Sequence, residues 1–154
     1  LRSIIAAGLA HGASQPLATK GQTNMSSCNI ADRRCQPCEG GVAPLDASAC
    51  QRLLADVPGW QLDSQTLVRN FSFRNHYEAM AFVNAVAWIS HQEDHHPEII
   101  IGYKDVRVSY WTHAIDGLSE NDFICAAKLE KLLTMTMEAM KATEDTINAE
   151  CESL

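Results

Sequence analysis

The sequence predicts an α+β domain in which an antiparallel four-stranded sheet carries three helices on one face, in the order α-β-β-α-β-β-α. Three observations predict it. Two pairs of short strand-like runs are separated by tight polar turns, three apolar stripes recur at helical spacing around them, and this regular patterning begins only at Pro44. A chain of 154 residues suffices for one core of ordinary domain size, so one domain with tails is expected, divided as 1–43, 44–141 and 142–154.

Asp46 is a plausible N-cap, and Cys50, Leu53, Leu54 and Val57 follow at the i, i+3, i+4, i+7 spacing of a buried helical face. Pro58-Gly59 stops that helix. Trp60 to Leu62 and Leu67 to Phe73 then flank Asp63-Ser64-Gln65, with Leu67, Phe71 and Phe73 on one side at period two, which reads as a hairpin. Asn75 with Glu78 forms a variant capping box, and Ala79, Phe82, Val83, Val86 and Ser90 trace the face of a second helix. That helix should end near His96, because Pro97 disfavours helical geometry in the residue before it.

Glu98 to Tyr103 and Val106 to Thr112 form a second hairpin around Lys104-Asp105, with Val106, Val108 and Tyr110 on one face and Arg107, Ser109 and Trp111 on the other. Ser119 to Asp122 is another capping box. It opens a helix through Ile124, Ala127, Leu129, Leu132 and Leu133 that runs to Met140 or beyond. Met135, Met137 and Met140 leave apolar positions that a small sheet does not cover, which points to a subunit interface.

A net charge of -7 excludes general binding to a phosphate backbone, which needs a basic face, and no apolar run is long enough to cross a bilayer, so a soluble protein is expected. Leu1 to Ala31 contains no Asp or Glu and is rich in Ser, Thr, Ala and Gly, as in organelle transit peptides; a flexible tail reads equally well. Cytoplasmic, plastid and mitochondrial locations all remain open. The six cysteines, including Cys35 and Cys38 in a Cys-x-x-Cys, are read as free thiols, because the pairing with Cys28 has the wrong spacing for a zinc knuckle and no βαβ pattern supports a redox motif.

The densest chemistry is His91-Gln92-Glu93-Asp94-His95-His96-Pro97, followed by His113 at the end of the last strand. Imidazoles titrate near neutral pH, so such a cluster can supply a proton donor and a proton acceptor at one site. A solvated polar helix end is the plain alternative. A metal site built from His91, His95 and His113 is a sharper one, although the segment lacks the Glu that follows the first histidine in zinc-protease helices.

His95-His96-Pro97, Tyr103, Thr112-His113 and Gly117-Leu118-Ser119 with Asp122, in that order and spacing, resemble the signature of the pterin-4a-carbinolamine dehydratases. Val57-Pro58-Gly59-Trp60 and the Phe71 and Phe73 strand agree, so the resemblance spans about Pro44 to Leu133. It implies an α+β hydro-lyase that removes water from 4a-hydroxytetrahydropterin to give quinonoid dihydropterin, without metal or cofactor, as a homodimer or homotetramer, with an aromatic amino acid hydroxylase in the same pathway.

It also implies His95, His96 and His113 as catalytic residues and Asp94, Trp111 and Thr112 as pterin-binding residues. Asp122 matches the family's acidic position but also sits third in the helix capped by Ser119, where a structural role is the stronger expectation. His91 is a departure, since many members carry an acid there; the tuning of His95 then falls to Glu93 or Asp94. Relatives of this fold also act as binding modules, as a transcription coactivator or a carboxylase-assembly factor, which is the alternative reading.

Overall fold

The structure, a computed structural model, describes residues 29–37 and 43–152. Its regular elements are α1 (Ala47–Leu54), β1 (Gln61–Asp63), β2 (Thr66–Ser72), α2 (His76–Glu93), β3 (Glu98–Ile101), β4 (Asp105–Tyr110) and α3 (Glu120–Glu152), with 3-10 turns at Ile30–Asp32 and His113–Ile115. The order is the expected α-β-β-α-β-β-α. All pairings are antiparallel and the strands lie in the order β1-β2-β4-β3. Among the described residues no helix is long and apolar enough to cross a membrane.

The N-terminus of α1 is capped as expected, with the Asp46 carboxylate accepting from Ala49 N–H at 2.7 Å. The helix ends at Leu54, however, not at Val57. Asp56 and Val57 bond back three residues, to Leu53 and Leu54, tightening the last turn ahead of Pro58. Val57 is still fully buried, because its spacing reports the direction of the core rather than helical continuation. Gly59 then adopts φ +83°, and a Cβ there would meet the Arg69 guanidinium at 3.0 Å. That guanidinium donates to the Pro58 carbonyl at 2.8 Å and pairs with Glu130, which also accepts the Trp60 indole N–H at 2.9 Å.

The first hairpin turn is tighter than expected, since Asp63 pairs with Thr66 and only Ser64 and Gln65 lie between. In β2 and β4 the inward set is Leu67, Phe71, Val106, Val108 and Tyr110, all buried against Phe82 and Val86 of α2 and Phe123 and Leu129 of α3. Trp60, Phe71 and Phe82 form a chain of ring contacts with centroids 6.0 and 4.6 Å apart. Gly117 allows the chain to cross Pro44, whose Cβ would lie 2.7 Å from a side chain there.

The end of α2 differs from the sequence reading. Helix α2 stops at Glu93, three residues before His96, because Asp94 takes a left-handed conformation (φ 49°, ψ 40°) and returns its N–H to Ser90. Helix α3 continues to Glu152, through residues read as a helix extension or a tail. Residues 29–37, assigned by sequence to the segment before the domain, form a strap against α2 and α3. Ile30 and Ala31 are buried in the core, Lys128 donates to the Ala31 carbonyl at 2.9 Å and Lys131 pairs with Asp32 at 2.7 Å. The transit-peptide reading of residues 1–28, the thiols of Cys28, Cys38 and Cys151, and the side chains of Met137 and Met140 lie outside the described residues.

Phe123 is fully buried where sheet and helices meet. Truncation by Phe123→Ala should cost about 3–5 kcal/mol through lost transfer energy and the cavity left behind. The check is urea denaturation, in which the midpoint falls while the slope is unchanged.

Candidate active site

A cleft of about 870 Å³ opens at the end of the sheet where β2 and β3 begin and β4 ends. The left-handed turn at Asp94 reverses the chain out of α2, so that Asp94, His95, His96 and Pro97 form one wall. Trp111, Thr112 and His113, leaving β4, form another, and Cys35, Gln36 and Pro37 of the strap complete it. The three histidines singled out by sequence thus share one cleft.

Their surroundings differ. The His95 side chain is 11% exposed and its Nε2 lies 2.7 Å from Asp122 Oδ1. The ring stacks on Tyr110, with centroids 5.9 Å apart and planes 9° from parallel. Burial pushes the Tyr110 hydroxyl well above its ordinary pKa, so it forms a neutral wall behind the imidazole. His96 and His113 are exposed to solvent, and the His113 ring leans on Trp111 with centroids 4.2 Å apart. The Trp111 indole N–H is buried with no hydrogen-bond partner among the described residues.

Asp122 is fully buried and serves two tasks at once. Its Oδ2 accepts from Ser119 N–H at 2.7 Å, closing the capping box, and from the Thr112 hydroxyl at 2.8 Å, while Oδ1 is left to His95. The sequence reading favours the capping role and leaves room for both. Asp94 is exposed at the cleft wall, and the other proposed tuner, Glu93, lines the cleft too but pairs with Arg34 and Lys128. His91 is exposed on α2 beside Trp88, outside the cleft lining. Tyr103, part of the recognised signature, stacks on His76 near the sheet's outer strand and is also outside the lining.

Sequence reasoning missed Asn121 and the strap. Asn121 Oδ1 accepts from Gln36 N–H at 3.0 Å and its Nδ2 donates to the Gln36 carbonyl at 2.7 Å, a two-way clasp. The available signal was its position inside the capping box. Among the described residues no three His, Cys, Asp or Glu side chains are grouped so as to hold a metal ion. Cys35, Cys50 and Cys125 are free thiols.

Fold and cleft together define a small α+β protein in which three imidazoles line one cleft. Residues 43–132 match the family described as pterin 4 alpha carbinolamine dehydratase. A protein of Dechloromonas aromatica (strain RCB) named for that family is 71% identical over 108 residues, 70% of this chain and 96% of the relative. One from Nitrosomonas eutropha, named likewise, is 61% identical over 107 residues, 69% of this chain and 95% of the relative. A solved Brucella melitensis structure, described as a transcriptional coactivator/pterin dehydratase, is 31% identical, with a TM-score of 0.55 over 57% of this chain and 96% of that one. The chain belongs to the pterin-4a-carbinolamine dehydratase family, a family of hydro-lyases.

Glu93 provides a pH test of the strap. Burial raises its carboxyl pKa, but the Cys35 N–H, Lys128 and Arg34 outweigh burial and hold it below the usual value. A depressed folded pKa means stabilisation present above the unfolded value of about 4.3 and lost as pH falls through the folded one. The stability gap between the native chain and Glu93→Gln should therefore be widest above about pH 5 and close in acid, as read by urea melts across that range.

Proposed function

We propose that the cleft dehydrates 4a-hydroxytetrahydropterin to quinonoid dihydropterin by histidine acid–base catalysis, with His95, His96 and His113 as the catalytic residues. The carrying observation is the buried His95 to Asp122 contact at 2.7 Å, in a cleft that His96 and His113 also line. The reaction breaks the bond from C4a to its hydroxyl oxygen. One protonated imidazole gives its proton to the departing hydroxyl, which leaves as water, while a neutral partner accepts the N5 proton and C4a=N5 forms. Two proton transfers of opposite direction need one group that donates and one that accepts, and three imidazoles line the cleft.

Asp122 is a positioning residue. Its carboxylate orients the Nε2–H of His95 and leaves Nδ1 as the nitrogen that exchanges a proton. Trp111, Thr112 and Asp94 form the binding surface for the pterin, and the unmatched Trp111 N–H is a donor that an acceptor on the heterocycle would satisfy. The family's names for its relatives support the substrate class.

The test is the dehydration rate of freshly generated 4a-hydroxytetrahydropterin, followed by ultraviolet absorbance. His95→Ala, His96→Ala and His113→Ala should each lower the catalysed rate by about 10²–10⁴-fold, the usual contribution of a positioned acid or base. The native rate should survive a chelator. Unchanged rates in all three variants would refute the assignment.

Replacing the positioning carboxylate separates orientation from folding. Asp122→Asn should lower kcat more than it raises KM and displace the pH profile of kcat; loss of folded protein without a displaced profile would reduce Asp122 to a helix cap.

A further inference from the structure

The Sγ atoms of Cys35 and Cys125 lie 3.7 Å apart, in contact but unbonded, and they join two parts of the chain that are 90 residues apart in sequence. We propose that these two thiols are an oxidation site, which a hydroperoxide closes as a disulfide that staples the strap to α3. The proposed dehydratase chemistry uses neither sulfur.

The backbone holds the pair in place. Cys35 N–H is bound by Glu93 Oε2 at 2.9 Å, the next residue is clasped in both directions by Asn121, and Asn121 stands one helical turn before Cys125 on α3. Closure therefore needs side-chain rotation and a shift from contact to the bonded distance of about 2.05 Å, with little chain ordering left to do. Cys50 is no competitor, since its Sγ sits on the Leu45 carbonyl at 3.9 Å.

The two thiols differ in access. Cys35 is half-buried and lines the cleft, so a small oxidant reaches it, whereas Cys125 is fully buried. The hydrogen bond to Cys35, together with burial, pushes the Cys125 thiol far up, so it keeps its proton until its neighbour has reacted. Cys35 gives up its proton and its sulfur attacks the peroxide oxygen, the O–O bond breaks, and a sulfenic acid forms while the departing alkoxide or hydroxide takes up that proton and leaves as an alcohol or water. Cys125 sulfur then displaces the sulfenic hydroxyl, which leaves as water with the Cys125 proton. Both thiols lose one electron and the peroxide gains two, so the step balances.

The staple closes a loop of 90 residues and removes freedom chiefly from the unfolded chain. The test treats the full-length protein with hydrogen peroxide, alkylates the remaining thiols under denaturing conditions, and maps cross-linked peptides by tandem mass spectrometry beside a thermal melt. Expected are a Cys35 to Cys125 cross-link and a rise in Tm of roughly 5–15 °C, reversed by dithiothreitol. Both should persist in Cys38→Ser and disappear in Cys35→Ser, with Cys125→Ala as the second variant if Cys35→Ser fails to fold. A bond between Cys35 and Cys38, or a Cys125 that remains an unpaired thiol while Cys35 is oxidised, would overturn the proposal.

Discussion

A carboxylate removed entirely from water, as Asp122 is, persists only when donors converge on it. Here they come from three parts of the chain: the backbone of Ser119 at the head of α3, the hydroxyl of Thr112 beyond β4, and the imidazole of His95 beyond α2. Each donor is the end of a structural element. The arrangement therefore sets the helix against the exit of the strand and, through the same two oxygen atoms, fixes the ring that faces the cleft. In this chain one side chain couples local helix stability to the geometry of the proposed chemistry.

Glu93 repeats the logic at the last residue of α2. Its nearly buried carboxylate collects Arg34, the Cys35 N–H and Lys128, tying the strap to both long helices. The strap lies outside residues 43–132, yet it supplies a wall of the cleft. The cleft is thus shaped by two buried carboxylates, one beneath the histidine and one beneath the strap.

Much of this architecture was legible in the residues, for physical reasons. The inward sets of β2 and β4 were read from period two, and the capping boxes marked where α2 and α3 begin. Helix ends were read less well. Val57 satisfied a helical spacing while lying beyond α1, and the stop of α2 came from the backbone of Asp94 rather than from Pro97. The histidines were visible as a cluster, but the partner of His95 was not, since nothing local says that a helix cap will face it. The strap carried no periodic signal at all. The backbones of Gln36 and Cys35 are held by Asn121 and Glu93, which are remote in sequence, and such contacts leave no local pattern.

The strand order has a kinetic consequence. The two central strands, β2 and β4, come from different hairpins, so Leu67 faces Tyr110 only after the whole of α2 and β3 has been folded back between them. Helical turns form in well under a microsecond to microseconds, whereas such distant strand pairing carries a loop-closure cost before any contact repays it. The cleft walls hang on the ends of β4 and α2 and meet only across that pairing. Helices can therefore be present in a chain that still has no pocket, and the capacity to hold a ligand should arrive with the last, slowest contacts of folding rather than grow in step with secondary structure.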